Sequence, residues 1–267
     1  MTATDPAARI GTIPAVAVIS ACMSAQAGVP RRSIAARVFG RSPLSADSRP
    51  WYLGALGELQ VADRLAKLGP GWTVVHSVPI GDRGSDIDHV AIGTAGVFTI
   101  NTKFHEDARI WVGKRRLLVN GQKTEHLRNS RYEAQRVART LTTIVGAPID
   151  VQAAVVVVGA RSVTIRERPE DVAVLRDTEL IRWLDRRPAT LPSDARDSLA
   201  QIVTHARTWG ARSGPSSNAD VQAFAALRRE VEAARRVRIL WATTALAGIV
   251  TVSATLAINA YTTLLGG

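Results

Sequence analysis

The sequence predicts an α/β domain built on a mixed sheet flanked by helices, followed by one C-terminal helix of membrane-spanning length. Two observations support that reading. Between Pro50 and Thr208 helical and strand periodicities alternate, with hairpin-spaced strands ahead of one helix and a continuous apolar strand behind it. From Ile239 to Leu265 the chain then runs for 27 residues without a charge, and ~20 such residues cross a bilayer as a helix.

Residues 1–49 read as a disordered basic leader, because Arg31 to Pro50 continues in Arg, Ser, Ala and Pro without sustained periodicity. Inside it, residues 10–29 are apolar in the middle and end on an AQA that resembles a signal-peptidase site. Only Arg9 precedes them and Asp5 opposes it, so the positive start of an export signal is nearly missing.

The domain spans residues 50–208. In WYLGALGELQVADRLAKLG, Leu53, Leu56, Val61, Leu65 and Leu68 recur every three to five residues, which is a helix with one apolar face, closed by Gly69-Pro70-Gly71. Gly54 and Gly57 allow that helix to pack closely on a sheet. WTVVHSVPI is a strand, GDRGSD a turn, and IDHVAIG and GVFTINTKF are two strands separated by GTAG. RIWVG and RRLLVNG form a hairpin with its bend near Gly113 and Lys114. Residues 128–145 are helical, with Tyr132, Val137, Leu141 and Ile144 facing inward. VQAAVVVVG has the unbroken apolar pattern of a strand covered on both faces. A short strand at VAVL, a helix at DTELIRWLDR and a last helix from Ser193 to Thr208 complete the domain. Trp51, Trp72 and Trp111 read as core or interface residues.

Residues 209–220 form a Gly-Ser-Pro linker, residues 221–238 a basic juxtamembrane helix and residues 239–265 the membrane-spanning segment. The flank RREVEAARRVR is basic and nothing charged follows the apolar run, so the positive-inside tendency keeps the N-terminal domain cytoplasmic in a single-pass protein. A buried core helix is the competing reading of the same run.

Formal net charge is +11 and the pI is near 11.0, mostly from arginine. That balance favours an anionic partner, nucleic acid or an acidic membrane surface. A coding bias toward Arg and Ala would give the same balance, so charge alone decides nothing. Cys22 is the single cysteine, which excludes an intrachain disulfide and a cysteine-built zinc site. His76, His89, His105, His126 and His205 show neither HExxH nor HxH spacing, which argues against a histidine-built zinc centre.

Candidate chemistry sits in GSDIDHVAIGTAGVFTINTKFHE, residues 84–106. Alternation places Asp86 and Asp88 on one face of their strand, opposite Ile87 and His89, and aligns Thr99, Asn101 and Lys103 on one face of the next. Paired through the short turn, carboxylates from one strand face an amide and an ammonium from the other. Such a cluster suits metal-assisted phosphodiester hydrolysis: carboxylates hold the cation, and a lysine stabilises developing negative charge or orients water. Ordinary ion pairs at sheet ends have the same spacing.

GxxGE in GALGELQVADRL, the stretch HSVPIGDRGSDIDHVAIGTAGVFTINTK and the later RNSRYEAQ together resemble, in order and spacing, the NERD (nuclease-related) domain, a branch of the PD-(D/E)XK nuclease-like superfamily. The resemblance covers roughly residues 50 to 160. It implies a nuclease-like mixed sheet and a site of helix glutamate, strand aspartate, an acid on the next strand and a lysine two residues later. Residue by residue these fall on Glu58, Asp88, Asn101 and Lys103, and Gln135 matches the helix glutamine. It further implies Mg²⁺ or Mn²⁺ held by Glu58, Asp88 and Asn101, and DNA or RNA as partner. Asn101 departs from the pattern: an amide oxygen can ligate a cation but brings no charge and is no general base. Three expectations follow. The chain is a membrane-anchored, metal-dependent nuclease; or it is an inactive nuclease-fold module that binds nucleic acid or a protein partner at the membrane; or it is a membrane-bound scaffold whose arginines face lipid.

Overall fold

A computed structural model describes residues 12–80, 85–209 and 218–265. The chain divides into two compact units, one of Met1–Ala21 with Pro50–Ser217 and one of Cys22–Arg49 with Asn218–Gly267. The turn expected at GDRGSD falls largely on residues 81–84, and the expected linker largely on 210–217, both outside the described residues.

Two helices, α1 (Val16–Gln26) and α2 (Ile34–Val38), form within the stretch expected to be a disordered leader. Long-range partners, not periodicity, order this stretch. Ala15, Ile19 and Cys22 are buried. The Val16 N–H donates to Ser77 Oγ at 3.1 Å, and the Gln26 side chain donates to the Pro43 carbonyl at 2.8 Å and accepts from Ser48 Oγ at 2.6 Å.

α3 (Ser48–Leu65) has Pro50 in its first turn, where the missing N–H would have no helical partner anyway. There follow β1 (Thr73–Ile80), β2 (Ser85–Gly93), β3 (Gly96–Phe104), β4 (Arg109–Val112), β5 (Leu117–Val119), β6 (Gln122–Thr124), α4 (His126–Val145), β7 (Val151–Val158), β8 (Ser162–Ile165) and β9 (Val172–Arg176). A 3-10 turn then leads into α5 (Leu180–Asp185), and α6 (Ser193–Thr204) ends in a second such turn over Ala206–Trp209.

The principal sheet has the order β1-β2-β3-β7-β9, antiparallel from β1 to β3 and parallel from β3 to β9. The mixed sheet expected from the sequence is therefore present. The connection from β3 to its parallel neighbour β7 runs by way of α4, as parallel pairing requires. A second sheet, β6-β5-β4-β8, extends the expected hairpin by pairing β4 in parallel with β8.

β7 is covered on both faces, as its apolar run foretold. Ala154, Val156 and Val158 join Phe98 and Ile100 of β3, Val61 and Leu65 of α3 and Leu180 and Leu184 of α5 in one core. Ala153, Val155 and Val157 meet Leu127 and Ala134 of α4 on the other face. A third core gathers β1 and β2 with Val137 and Leu141 of α4 and Leu199 and Val203 of α6. The inward face of α4 is Leu127, Ser130, Ala134, Val137 and Leu141, whereas Tyr132 and Ile144, expected inside, are exposed. Tyr132 lies about half a turn from that stripe, whereas Ile144 is in line with it but falls in the last turn of the helix, beyond its last buried residue, Leu141. Trp51 and Trp111 are likewise more exposed than core residues are.

Gly57 brings α3 against β3: a Cβ there would lie 3.1 Å from Phe104 Cβ and 3.3 Å from Thr102 Cγ2, while Gly54 faces open space. Close packing therefore rests on one of the two glycines. Gly57→Val is expected to lower stability by about 1–3 kcal/mol, the usual cost of overpacking. Denaturant titration of wild type and variant checks it, and an unchanged midpoint would show that α3 can move aside freely.

The second unit is dominated by α7 (Asn218–Leu265), one continuous 48-residue helix. Its last charged residue is Arg238. It is long and apolar enough to cross a membrane, and its apolar half leaves Leu246, Ile249, Val250, Leu256 and Ile258 exposed.

Candidate active site

Antiparallel pairing of β2 with β3 runs from Gly93↔Gly96 to His89↔Ile100. Past that rung the Thr102 N–H donates to the Asp88 carboxylate at 2.5 Å. A side chain thus takes the place of the strand carbonyl that the next rung would supply, which satisfies the buried amide and fixes the carboxylate where the strands part.

Polar side chains cluster around this opening. Glu58, Asp88 and Asn101 are 5%, 8% and 3% exposed, against the strong preference of carboxylates for water. Glu58 comes from α3, one residue after the glycine that seats the helix on β3. Asn101 Nδ2 donates to both carboxylate oxygens of Glu133 on α4, at 2.6 and 2.7 Å. Glu58 Oε2 and Asn101 Oδ1 are buried and have no hydrogen-bond partner among the described residues. Lys103, half-buried on β3, forms no direct ion pair among the described residues.

Burial and mutual repulsion hold the acids toward their neutral forms. Burial pushes the Glu58 carboxyl far above its ordinary range, and the charges of Asp88 and Asp86 push it further, with Lys103 opposing. Asp86 rises to about 6 through burial and the Asp88 charge. Asp88 is raised by burial, against the pull of Lys103 and the Thr102 N–H. Glu133 rises to about 7 through burial, moderated by the Asn101 amide. Four carboxyls around one ammonium leave the site short of positive charge.

Two histidine pairs flank the cluster. His105 and His126 approach at 3.1 Å between their Nε2 atoms, and burial with the nearby Lys103 charge lowers both, His126 to about 4. His76 and His89 meet at 2.8 Å between Nδ1 atoms, inside the sheet, where burial favours neutral rings. In each pair one nitrogen donates and the other accepts.

The structure brings together Glu58, Asp88, Asn101 and Lys103, with Asp86 beside Asp88 on the same strand, and adds Glu133. It does not bring Gln135 in. That side chain is exposed, because two positions along a helix are about 200° apart and Glu133 occupies the inward direction. Glu133 had a sequence signal, being the single acid in a 20-residue helix with four arginines. Among the described residues no three His, Cys, Asp or Glu side chains already close around one point. The arrangement is an open polar cluster, not a finished cage.

Residues 53–158 match the family model of NERD, the nuclease-related domain, whose general context is the PD-(D/E)XK superfamily. The matched stretch runs from α3 to the last residue of β7 and contains every member of the cluster. No curated protein and no solved structure matches the chain.

Proposed function

We propose that this domain hydrolyses phosphodiester bonds of DNA or RNA with a divalent cation, Mg²⁺ or Mn²⁺, and that α7 tethers it to a membrane with the domain on the cytoplasmic side. The observation that supports the reading best is the pair of buried oxygens, Glu58 Oε2 and Asn101 Oδ1, that have no partner among the described residues, beside the raised carboxyls of Asp88, Asp86 and Glu133. Such oxygens are costly without a partner, and a hard cation supplies one to all of them. Glu58, Asp88 and Asn101 would hold it, with Glu133 delivering from α4 the charge that position 101 lacks. Bound there, a divalent cation polarises the phosphoryl oxygen and helps ionise water.

The remaining work falls to the chain. Lys103 stands ready to neutralise charge that develops on the phosphoryl oxygens. The Thr102 N–H keeps Asp88 oriented, and the neutral His105–His126 pair offers a donor and an acceptor at the margin of the cluster. Full-length protein incubated with linear, circular and single-stranded DNA and with RNA, with and without Mg²⁺ or Mn²⁺, tests the reading. Binding without product in every case would leave the second reading, a non-catalytic nucleic-acid module, which the uncharged Asn101 favours. In that case affinity should fall steeply with salt.

Asn101 is the informative substitution. In Asn101→Asp the amide donor to Glu133 is replaced by a second carboxylate, so cation-free stability should fall by about 1–3 kcal/mol. Cation affinity should rise, since a formal charge joins the ligand set. Calorimetric titration with Mn²⁺ reads the second effect, and unchanged affinity would remove position 101 from the ligands.

A further inference from the structure

We propose that residues 31–41 and the Arg235–Trp241 turn of α7 form a collar that seats in the headgroup layer of an anionic bilayer. The inference rests on α7 spanning that bilayer, and it assigns a lipid-binding role to a part of the chain outside the nuclease-related domain.

The collar is held together by specific contacts. Arg32 reaches Glu230 on α7 at 3.2 Å and donates to the Arg41 carbonyl at 3.1 Å. Trp241 Nε1 donates to the Val38 carbonyl at 2.7 Å, and its ring lies 5.9 Å from that of Phe39. Gly40, at φ +64°, lets the segment press on α7: a Cβ would fall 2.6 Å from the Ala234 carbonyl oxygen. Ser33 Oγ caps α2 by accepting from the Ala36 N–H at 3.2 Å.

What this assembly displays is unusual for a surface facing water. Ile34 is 83% exposed, Phe39 62% and Trp241 48%, and α2 buries no residue at all. A five-residue helix held so firmly yet showing its apolar side chains is placed for another medium. The contacts also fix its level: Trp241 lies at the point where the charged part of α7 ends at Arg238 and the uncharged run begins. Aromatic side chains favour that boundary in membrane proteins. Arg31, Arg37, Arg41, Arg235 and Arg238 are exposed and have no carboxylate partner among the described residues. Apolar side chains at acyl depth with free arginines beside them fit anionic phospholipid headgroups.

The full-length chain with Ile34→Cys and Cys22→Ser, labelled at position 34 with an environment-sensitive fluorophore, tests this in vesicles of phosphatidylcholine with and without phosphatidylglycerol. A label at Ala35→Cys serves as an independent second position. Carbonate extraction reads insertion of α7 separately from quenching of the label by acrylamide. The expected result is carbonate-resistant protein whose label is blue-shifted and about threefold or more protected in anionic vesicles, with Arg37→Gln and Arg41→Gln each shifting the equilibrium between protected and exposed label about fivefold toward exposure. Protein released by carbonate overturns both the anchor and the collar. Inserted protein whose label is quenched equally in both lipids, whether protected or not, overturns the collar alone. Protection that appears in neutral vesicles only when DNA or RNA is added would reassign the arginines to nucleic acid and overturn it as well.

Discussion

Lys103→Met is expected to slow cation-dependent cleavage by about 10²–10³-fold, the typical loss when one group that stabilises developing charge is removed. Methionine keeps much of the length of the side chain and deletes only its ammonium. Because Lys103 forms no direct ion pair among the described residues, the fold loses no salt bridge. Its field, however, opposes the raised carboxyls of Glu58, Asp86, Asp88 and Glu133, so without it these acids shift further toward the neutral form. Loss concentrated in kcat would place the lysine in the transition state, and loss confined to KM would make it a phosphate anchor. Asp88→Asn is the companion: the amide oxygen still accepts from Thr102 N–H, so orientation survives while charge does not. Undiminished cleavage in both variants would move the chemistry elsewhere on the molecule.

The second large effect is on stability, and it depends on pH. Asp86 and Glu133 hold their protons to about pH 6 and 7 in the folded chain, against ordinary values of 3.8 and 4.5. Between those limits the folded state binds more protons than the unfolded state, so the contribution of these two acids to stability is full below about pH 4 and is lost as pH rises through 6 and 7. After discounting for partial exposure, the decline is on the order of 3 kcal/mol. A divalent cation counters it only where the carboxylates are charged. Saturating Mn²⁺ is expected to raise Tm by about 5–10 °C near pH 8 and to leave it unchanged near pH 4. Thermal melts of the detergent-solubilised chain at both pH values, with Mn²⁺ or chelator, provide the readout. An equal rise at both would locate the cation away from these acids, and no rise at either would argue that the cluster binds none.

Much of this architecture was legible in the residues, for identifiable reasons. Periodicity disclosed α3, β3 and β7, because Leu53 to Leu68 follow a helical stripe and the unbroken valines of β7 suit a strand buried on both faces. Alternation was enough to set Asn101 and Lys103 on one face. It could not disclose that β2 and β3 part after His89↔Ile100, since the cause is a side chain, Asp88, competing for the Thr102 amide. Glu133 has a different reason: the resemblance sets Gln135 at the helix position of the site, whereas helix geometry turns that residue outward and the acid two positions earlier inward. α1 gives no stripe to read, because its Ala, Ser and Val have no polar face, and its order comes from Ser77, Pro43 and Ser48, outside the helix. β8 is short and pairs with β4 across the whole of α4 and β7, so nothing local announces it.

The parallel pairing of β3 with β7 bears on how the protein is made. As the chain leaves the ribosome, β1, β2 and β3 can pair at once, but the outer edge of β3 has no neighbour until the chain has extended through Val158. During that interval a strand whose first seven residues are buried in the finished domain shows a full row of free backbone donors and acceptors, the template on which strange strands assemble. Asn101 likewise stays without Glu133 until α4 has been synthesised. The carboxylate cluster comes into being only when translation has passed beyond Glu133.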